Sequence, residues 1–403
     1  MSNPSSNTDT GNSSRDSSML PVPDRHALEH SQHLQALLRE RLSTESLSFA
    51  DYMSAALYTP GMGYYMAGSP KFGAGGDFIT APEVSPLFGA SLAAQCREIL
   101  ADIDGGILEL GAGNGRLAAS LLKALSDVPD LQYWILEPSA ELQLRQRDFL
   151  QQTLTADQFK FIRWIEQLPE GFEGIIIANE VMDAMPVERF RIAEELQQLH
   201  VGQDEEGKFC DSEKPATVAL KEAVAALESD LGFTLPADYT SEINLLLAPW
   251  IKSLAETLKR GVVLLVDYGY PRREYYLQER NQGTLACYYQ HRMHDDPYHL
   301  PGLQDITAHV DFTCVAEAAI QADLSLLGYA SQSAFLLAND LLLLAEAEIS
   351  AATQELERIA VAQAVKTLAL PGEMGERFQV IALGKDYERA LRGFQQQDLS
   401  HRL

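Results

Sequence analysis

Apolar positions change their spacing in a definite order along this chain, and each change predicts an element. Helical spacing begins near His26 with Leu28, Leu34, Leu37, Leu38 and Leu42. A second helix is expected from Ser48, whose hydroxyl can cap the run Phe49 to Leu57. Glycine and proline then recur from Thr59 to Gly89, too many and too mixed with aromatics for a simple linker. Beyond a helix over Leu87 to Leu100, strands alternate with helices: Gly106 to Leu110, Tyr133 to Leu136, Gly174 to Ala178 and Val262 to Asp267. That alternation predicts a parallel sheet covered on both faces.

Between Arg189 and Val201 the alternation of Phe190 and Ile192, followed by Leu196, Leu199 and Val201, predicts an antiparallel ribbon. Helices are expected near Ala219 to Ser229 and Ser241 to Lys259, and the last strands at Leu324 to Tyr329 and Phe378 to Leu383. The expected organisation is a disordered tail over 1–24, a helical and glycine-rich cap over 25–100, a main domain over 101–385 with an inserted lobe at about 189–240, and a C-terminal tail over 386–403. The first 24 residues are rich in Ser, Asn, Thr, Asp and Pro, and carry too little apolar surface to offset their own ordering entropy.

Charge narrows the partners. Against 31 basic residues stand 57 acidic ones, a formal charge of -26, which opposes phosphate backbones and anionic lipid and argues against a nucleic-acid substrate. No stretch approaches the roughly 18–20 apolar residues of a membrane-spanning helix, so membrane insertion is not expected. The N-terminus lacks a signal-peptide apolar run, and a Ser-rich tail makes a poor mitochondrial transit peptide; for a bacterial source the expected location is the cytoplasm. The cysteines Cys96, Cys210, Cys287 and Cys314 form no zinc-type pair. His291, Arg292 and His294 lack a second ligand pair, and no metal is expected.

The sharpest chemical signal is Leu108-Glu-Leu-Gly-Ala-Gly-Asn-Gly115, a strand that runs into the alternate glycines Gly111, Gly113 and Gly115 and then a helix. Bare backbone can approach a ligand there. The spacing is GxGxG, unlike the GxGxxG of dinucleotide sites, and Glu109 precedes it. A pyrophosphate calls for a third glycine that brings the helix N-terminus onto its charge, whereas S-adenosylmethionine has no phosphate and carries an amino group and a sulfonium that suit Glu109. Glu137 closes the next strand about 20 residues on, where doubly wound folds hold ribose hydroxyls; alone it is equally an ordinary strand-end acid.

With these residues in view, the chain resembles the MidA and NDUFAF-type family of class I methyltransferases, which includes complex I assembly factors. The likeness is carried by Gly76-Asp-Phe-Ile-Thr-Ala-Pro-Glu83, Glu109 to Gly115, Asn179-Glu-Val-Met-Asp-Ala-Met-Pro186, Asp267-Tyr-Gly269 and Pro301 through Phe312, and spans about residues 40 to 385. The resemblance implies a Rossmann-like α/β fold whose seven-stranded, mostly parallel sheet has an antiparallel last strand. It also implies a protein arginine methyltransferase using S-adenosyl-L-methionine, with a protein substrate presenting arginine; a homodimer is compatible with the sequence.

Candidate residues follow. Glu180 and Asp183 stand after a buried strand, where a guanidinium would find carboxylates for bidentate hydrogen bonds; the bland alternative is that Asp183 caps a short helix and Glu180 satisfies loop amides. His309 is a candidate for accepting or orienting a proton near neutral pH, and equally a structural histidine. Asn179 is expected beside the cofactor, and the loop Gly73 to Pro86 is expected to fold over it, bringing Gly76, Asp77, Phe78 and Thr80 nearest. Three other readings stay open: a small-molecule or other side-chain acceptor, a non-catalytic assembly factor that retains the cofactor fold, and a nicotinamide dehydrogenase.

Overall fold

The computed structural model describes residues 20–67 and 80–403. The N-terminal tail lies largely outside the described residues, as do Gly76, Asp77 and Phe78 of the glycine loop.

The main sheet grows from the predicted strands. β1 (Gly106–Leu110) is flanked by β2 (Tyr133–Leu136) and β4 (Phe172–Asn179). β3 (Ile162–Ile165) lies outside β2. These pairs are parallel, and so is the pairing of β4 with the long strand β9 (Leu258–Tyr270). The last strand, β15 (Phe378–Lys385), runs antiparallel between β9 and β14 (Ser325–Ser331), giving the order β14-β15-β9-β4-β1-β2-β3. The expected Rossmann-like sheet with an antiparallel last strand is present. β3 escaped the sequence reading because Ile-Arg-Trp-Ile is an edge segment with no fully buried residue.

Period-two alternation distributes β1 and its neighbours to two cores. Ile107, Ile135, Ile175, Ile177, Val262 and Leu264 face a layer built from the helices Pro86–Leu100 and Arg116–Ala124. Leu108, Leu110, Ile176, Ala178, Val263 and Leu265 face the helices Leu247–Thr257 and Phe312–Gln321. A sheet buried on both faces needs strands apolar at every position, which is why these read as continuous runs.

Two smaller sheets stand beyond the carboxyl ends of the parallel strands. β5 (Glu188–Arg191), β6 (Gln197–Gln203), β7 (Phe209–Pro215) and β8 (Thr240–Ile243) form an antiparallel sheet in the order β7-β6-β5-β8. β10 (Ala286–Tyr289), β11 (Arg292–His294) and β12 (Asp305–Thr307) form the other, while β13 (Val310–Asp311) pairs with the end of β9. The N-terminal helices Arg25–Thr44 and Phe49–Tyr58 pack on both small sheets through Leu34, Phe49, Tyr52, Val201, Phe209, Cys287 and Ile306. Ser48 caps the second helix in a reciprocal box with Asp51, as its position predicts.

Two expectations are corrected. Ser241, read as a helix start, lies in β8, and the helix begins only at Leu247; the apolar positions of a short strand and the first turn of a helix are too few to separate by period. Residues 386–403 are no loose tail: Tyr387, Leu391 and Phe394 are buried in the first core, Phe394 lies against Gly328 where no side chain would fit, and the Leu399 amide donates to the Tyr329 carbonyl at 2.6 Å. Their polar composition hid three apolar anchors that find partners only in the folded chain.

Candidate active site

β1 delivers the chain to a turn with positive φ at Gly111 (66°), Gly113 (53°) and Gly115 (84°) before the helix Arg116–Ala124. Left-handed backbone costs an L-residue roughly 1–2 kcal/mol, and a Cβ on Gly111 would also press on Val181 at 3.0 Å. The turn therefore presents bare backbone to a cavity of about 310 Å³, at the lower end of the roughly 300–1,000 Å³ range of small-ligand sites.

Glu109, Glu137, Glu180, Asp183 and Asp305 line that cavity, and no Lys, Arg or His lies among its described lining residues. Walls of one sign in a low-dielectric cleft concentrate the field and favour a cationic ligand. Glu109 is buried, accepts the Tyr133 hydroxyl at 2.6 Å, and is pushed up to about 7, first by burial and then by the Glu137 charge, against the pull of that hydrogen bond. Glu137, also buried, accepts the Ser139 amide at 2.9 Å and Gln146 Nε2 at 3.1 Å. Gln146 reaches the Gly113 carbonyl at 3.0 Å and accepts from Trp164 Nε1 at 2.9 Å, so Glu137 is tied to the glycine turn.

Thr80, at the N-cap of the short helix Ala81–Val84, also lines the cavity. Its capping partner Glu83 accepts Asn114 Nδ2 at 2.7 Å, joining this segment to the glycine turn.

At the other end, β4 stops at Asn179 and the backbone turns sharply through Glu180, whose φ is 55°. Such a conformation persists in a non-glycine residue only where its surroundings hold it. The Glu180 amide donates to the Val266 carbonyl at 2.9 Å, and its carboxylate accepts Asn179 Nδ2 at 2.9 Å and the Ala81 amide at 3.4 Å. Burial first, then Asp183, drive its pKa well above the ordinary carboxylate range. Burial raises Asp183 to about 6; the nearby Tyr268 hydroxyl opposes the rise without reaching hydrogen-bond geometry, and Asp183 Oδ1 is buried with no hydrogen-bond partner.

Asp267, the buried acid near the end of β9, holds this loop by accepting the Met182 amide at 2.9 Å and the Asp183 amide at 3.3 Å. Its pKa is raised by burial and by Asp183 and Glu180. Sequence reading passed over Asp267 as a candidate, although it meets the strand-end rule that singled out Glu137. It also passed over Asp305, inside the quoted Pro301 to Phe312 segment, and the cavity-lining Tyr58 and Tyr65. Tyr65 donates to Asp305 at 2.9 and 3.0 Å, Tyr58 donates to the Ala184 carbonyl at 2.9 Å, and the two rings stack at 5.6 Å and 22°.

His309 stands outside the acid cavity. Its ring is wedged between Tyr268 and Tyr270, apart from the residues that line the acid cavity, and its pKa falls to about 4, first through burial and then through Arg280. The ring is therefore neutral at neutral pH. Its neighbour Asp311 caps the helix Phe312–Gln321 and pairs with Arg272 at 3.1 Å.

A glycine turn of bare backbone, an acid closing the next strand and an acid-only cleft over a mostly parallel sheet define a Rossmann-like methyltransferase whose donor is S-adenosyl-L-methionine, a cation at both its amino group and its sulfur. Residues 91–330 match the family described as S-adenosyl-L-methionine-dependent methyltransferase, and the chain belongs to that family. It is 39% identical to a Burkholderia thailandensis protein whose crystal structure holds S-adenosyl-homocysteine, with a TM-score of 0.90 over 95% of this chain and 100% of that one.

Among curated proteins it is 29% identical to the mitochondrial protein arginine methyltransferase NDUFAF7 of Danio rerio, over 87% of this chain and 86% of that protein. It is likewise 29% identical to the Drosophila melanogaster homologue, over 88% and 85%. The expectation of a cytoplasmic protein is overturned by these relatives, which are mitochondrial. Among the described residues no helix is long and apolar enough to cross a membrane, and no cluster of His, Cys, Asp or Glu is suited to a metal.

Proposed function

We propose that this methyltransferase modifies arginine side chains of a protein substrate. The supporting observation is the acid-only acceptor end of the cavity, where Glu180 and Asp183 stand together after β4 with Asp183 Oδ1 unpartnered. A guanidinium remains protonated throughout the physiological range and presents a planar fork of donors, which two carboxylates match. Curated relatives named as protein arginine methyltransferases support the same acceptor.

In this reading Glu109 pairs with the amino group of the cofactor, Glu137 accepts from its ribose hydroxyls, and Gly111, Gly113 and Gly115 give it room, with Asn179 and Thr80 beside it. The cofactor supplies an electrophilic methyl group on a sulfonium. Glu180 and Asp183 hold the guanidinium so that one terminal nitrogen lies in line with that methyl, and the proton lost on transfer goes to Asp183, whose pKa of about 6 suits it as a base near neutral pH.

The test is mass spectrometry of arginine-containing proteins from an extract incubated with the enzyme and S-adenosyl-L-methionine. New methylarginine is expected with the wild type, and at least 100-fold less with Glu180→Ala. Methylarginine unchanged by either protein rules the assignment out.

A further inference from the structure

Two walls of the acceptor end come from outside the parallel sheet. Tyr58 closes the N-terminal helix Phe49–Tyr58, Tyr65 follows it in the next turn, and Asp305 opens β12 of the small sheet. The hydroxyls of both tyrosines are committed across the cavity, Tyr65 to Asp305 and Tyr58 to the Ala184 carbonyl beside Asp183. Those bonds fix the ring planes. Tyr58 lines the cavity and remains 37% exposed. Asp183, only 6% exposed, lines the same cavity with its Oδ1 unpartnered beside the Tyr268 hydroxyl.

A stacked pair of rings edged by carboxylates is matched to a flat cation. A guanidinium can lie on the ring face and send N–H donors to acids on two sides, whereas a tetrahedral ammonium gains the charge but not the plane. We propose that Asp305, with the Tyr58–Tyr65 stack, captures the acceptor's guanidinium and makes the site select arginine over lysine. This rests on the arginine reading of the function. Tyr65 is a positioning residue, because it acts through Asp305.

The probe is Nα-acetyl-arginine methylamide, titrated by calorimetry into the full-length protein loaded with S-adenosylhomocysteine, beside the acetyl-lysine analogue. The wild type is expected to bind the arginine compound at least tenfold tighter. Asp305→Asn should weaken that binding tenfold or more and leave S-adenosylhomocysteine affinity within twofold. Tyr58→Leu, at a partly exposed ring that the fold does not need for its core, should erase the preference for arginine. Tyr65→Phe should raise KM for an arginine peptide more than it lowers kcat.

A wild type that ignores the arginine compound, or an Asp305→Asn protein and a Tyr58→Leu protein that both bind it normally, overturns the inference. Loss of S-adenosylhomocysteine in step with loss of arginine overturns it too, since Asp305 would then be a structural acid. Capture through Asp305 without any methyl transfer to arginine would refute the function proposed above and leave the capture site standing. Transfer undiminished by Asp305→Asn would do the reverse.

Discussion

Protonation of Glu109 and occupation of the cavity by a cation compete for the same carboxylate, so cofactor binding is expected to release a proton near pH 7. Glu109 is 2% exposed, and burial lifts it from the ordinary 4.5 to about 7. That displacement corresponds to about 3 kcal/mol between the ionised and neutral states. In the ligand-free protein the folded chain keeps the proton while the unfolded chain has lost it. This contribution to stability is therefore fully present below about pH 4.5 and disappears as pH rises to about 7.

A bound amino group reverses the preference by favouring the ionised acid. At pH 6 only about one Glu109 in ten is ionised, so S-adenosylhomocysteine affinity should rise about tenfold from pH 6 to pH 8 and then level off. Calorimetry at pH 6.5 in two buffers of different ionisation enthalpy counts the proton released. The Glu109→Gln protein should bind more weakly, release no proton and show little dependence on pH. Equal wild-type affinity at pH 6 and pH 8, or the same dependence in Glu109→Gln, would refute the placement of Glu109 at the amino group.

Two further outcomes are expected. Arginine methylation should decline as pH falls through about 6, because a protonated Asp183 cannot take the proton; Asp183→Asn should lower kcat by about 10²–10⁴ and remove that limb from the kcat profile. Phe394→Ala should cost about 3–5 kcal/mol in denaturant unfolding, as for a buried aromatic, and a loss under about 1 kcal/mol would mean that the C-terminal segment contributes little to the core.

Much of the cavity's lining around the glycine turn was legible because its signals are local. Glycines at alternate positions after an apolar strand answer to backbone strain within a few residues, and an acid at a strand end answers to where a parallel sheet exposes its carboxyl termini. Glu180 and Asp183 were visible by the same rule. Asp305, Tyr58 and Tyr65 were not, because nothing within their own segments requires a carboxylate 240 positions from the tyrosine that donates to it. The surroundings of His309 were hidden for a related reason: only the fold brings the rings of Tyr268 and Tyr270 and the charge of Arg280 around it.

By itself the sequence placed six of the seven strands of the main sheet, predicted that both its faces are covered and pointed to S-adenosylmethionine as the donor, since apolar runs, caps and a glycine turn obey rules acting over a few residues. Tertiary structure decided the rest. It converted the supposed tail at 386–403 into part of the core and brought the N-terminal helices onto the small sheets. It also gathered five carboxylates from distant segments around one cavity, with no basic side chain among the described residues lining it. Desolvation and the mutual repulsion of those acids depend on who is buried beside whom, and that is fixed only when the chain closes on itself.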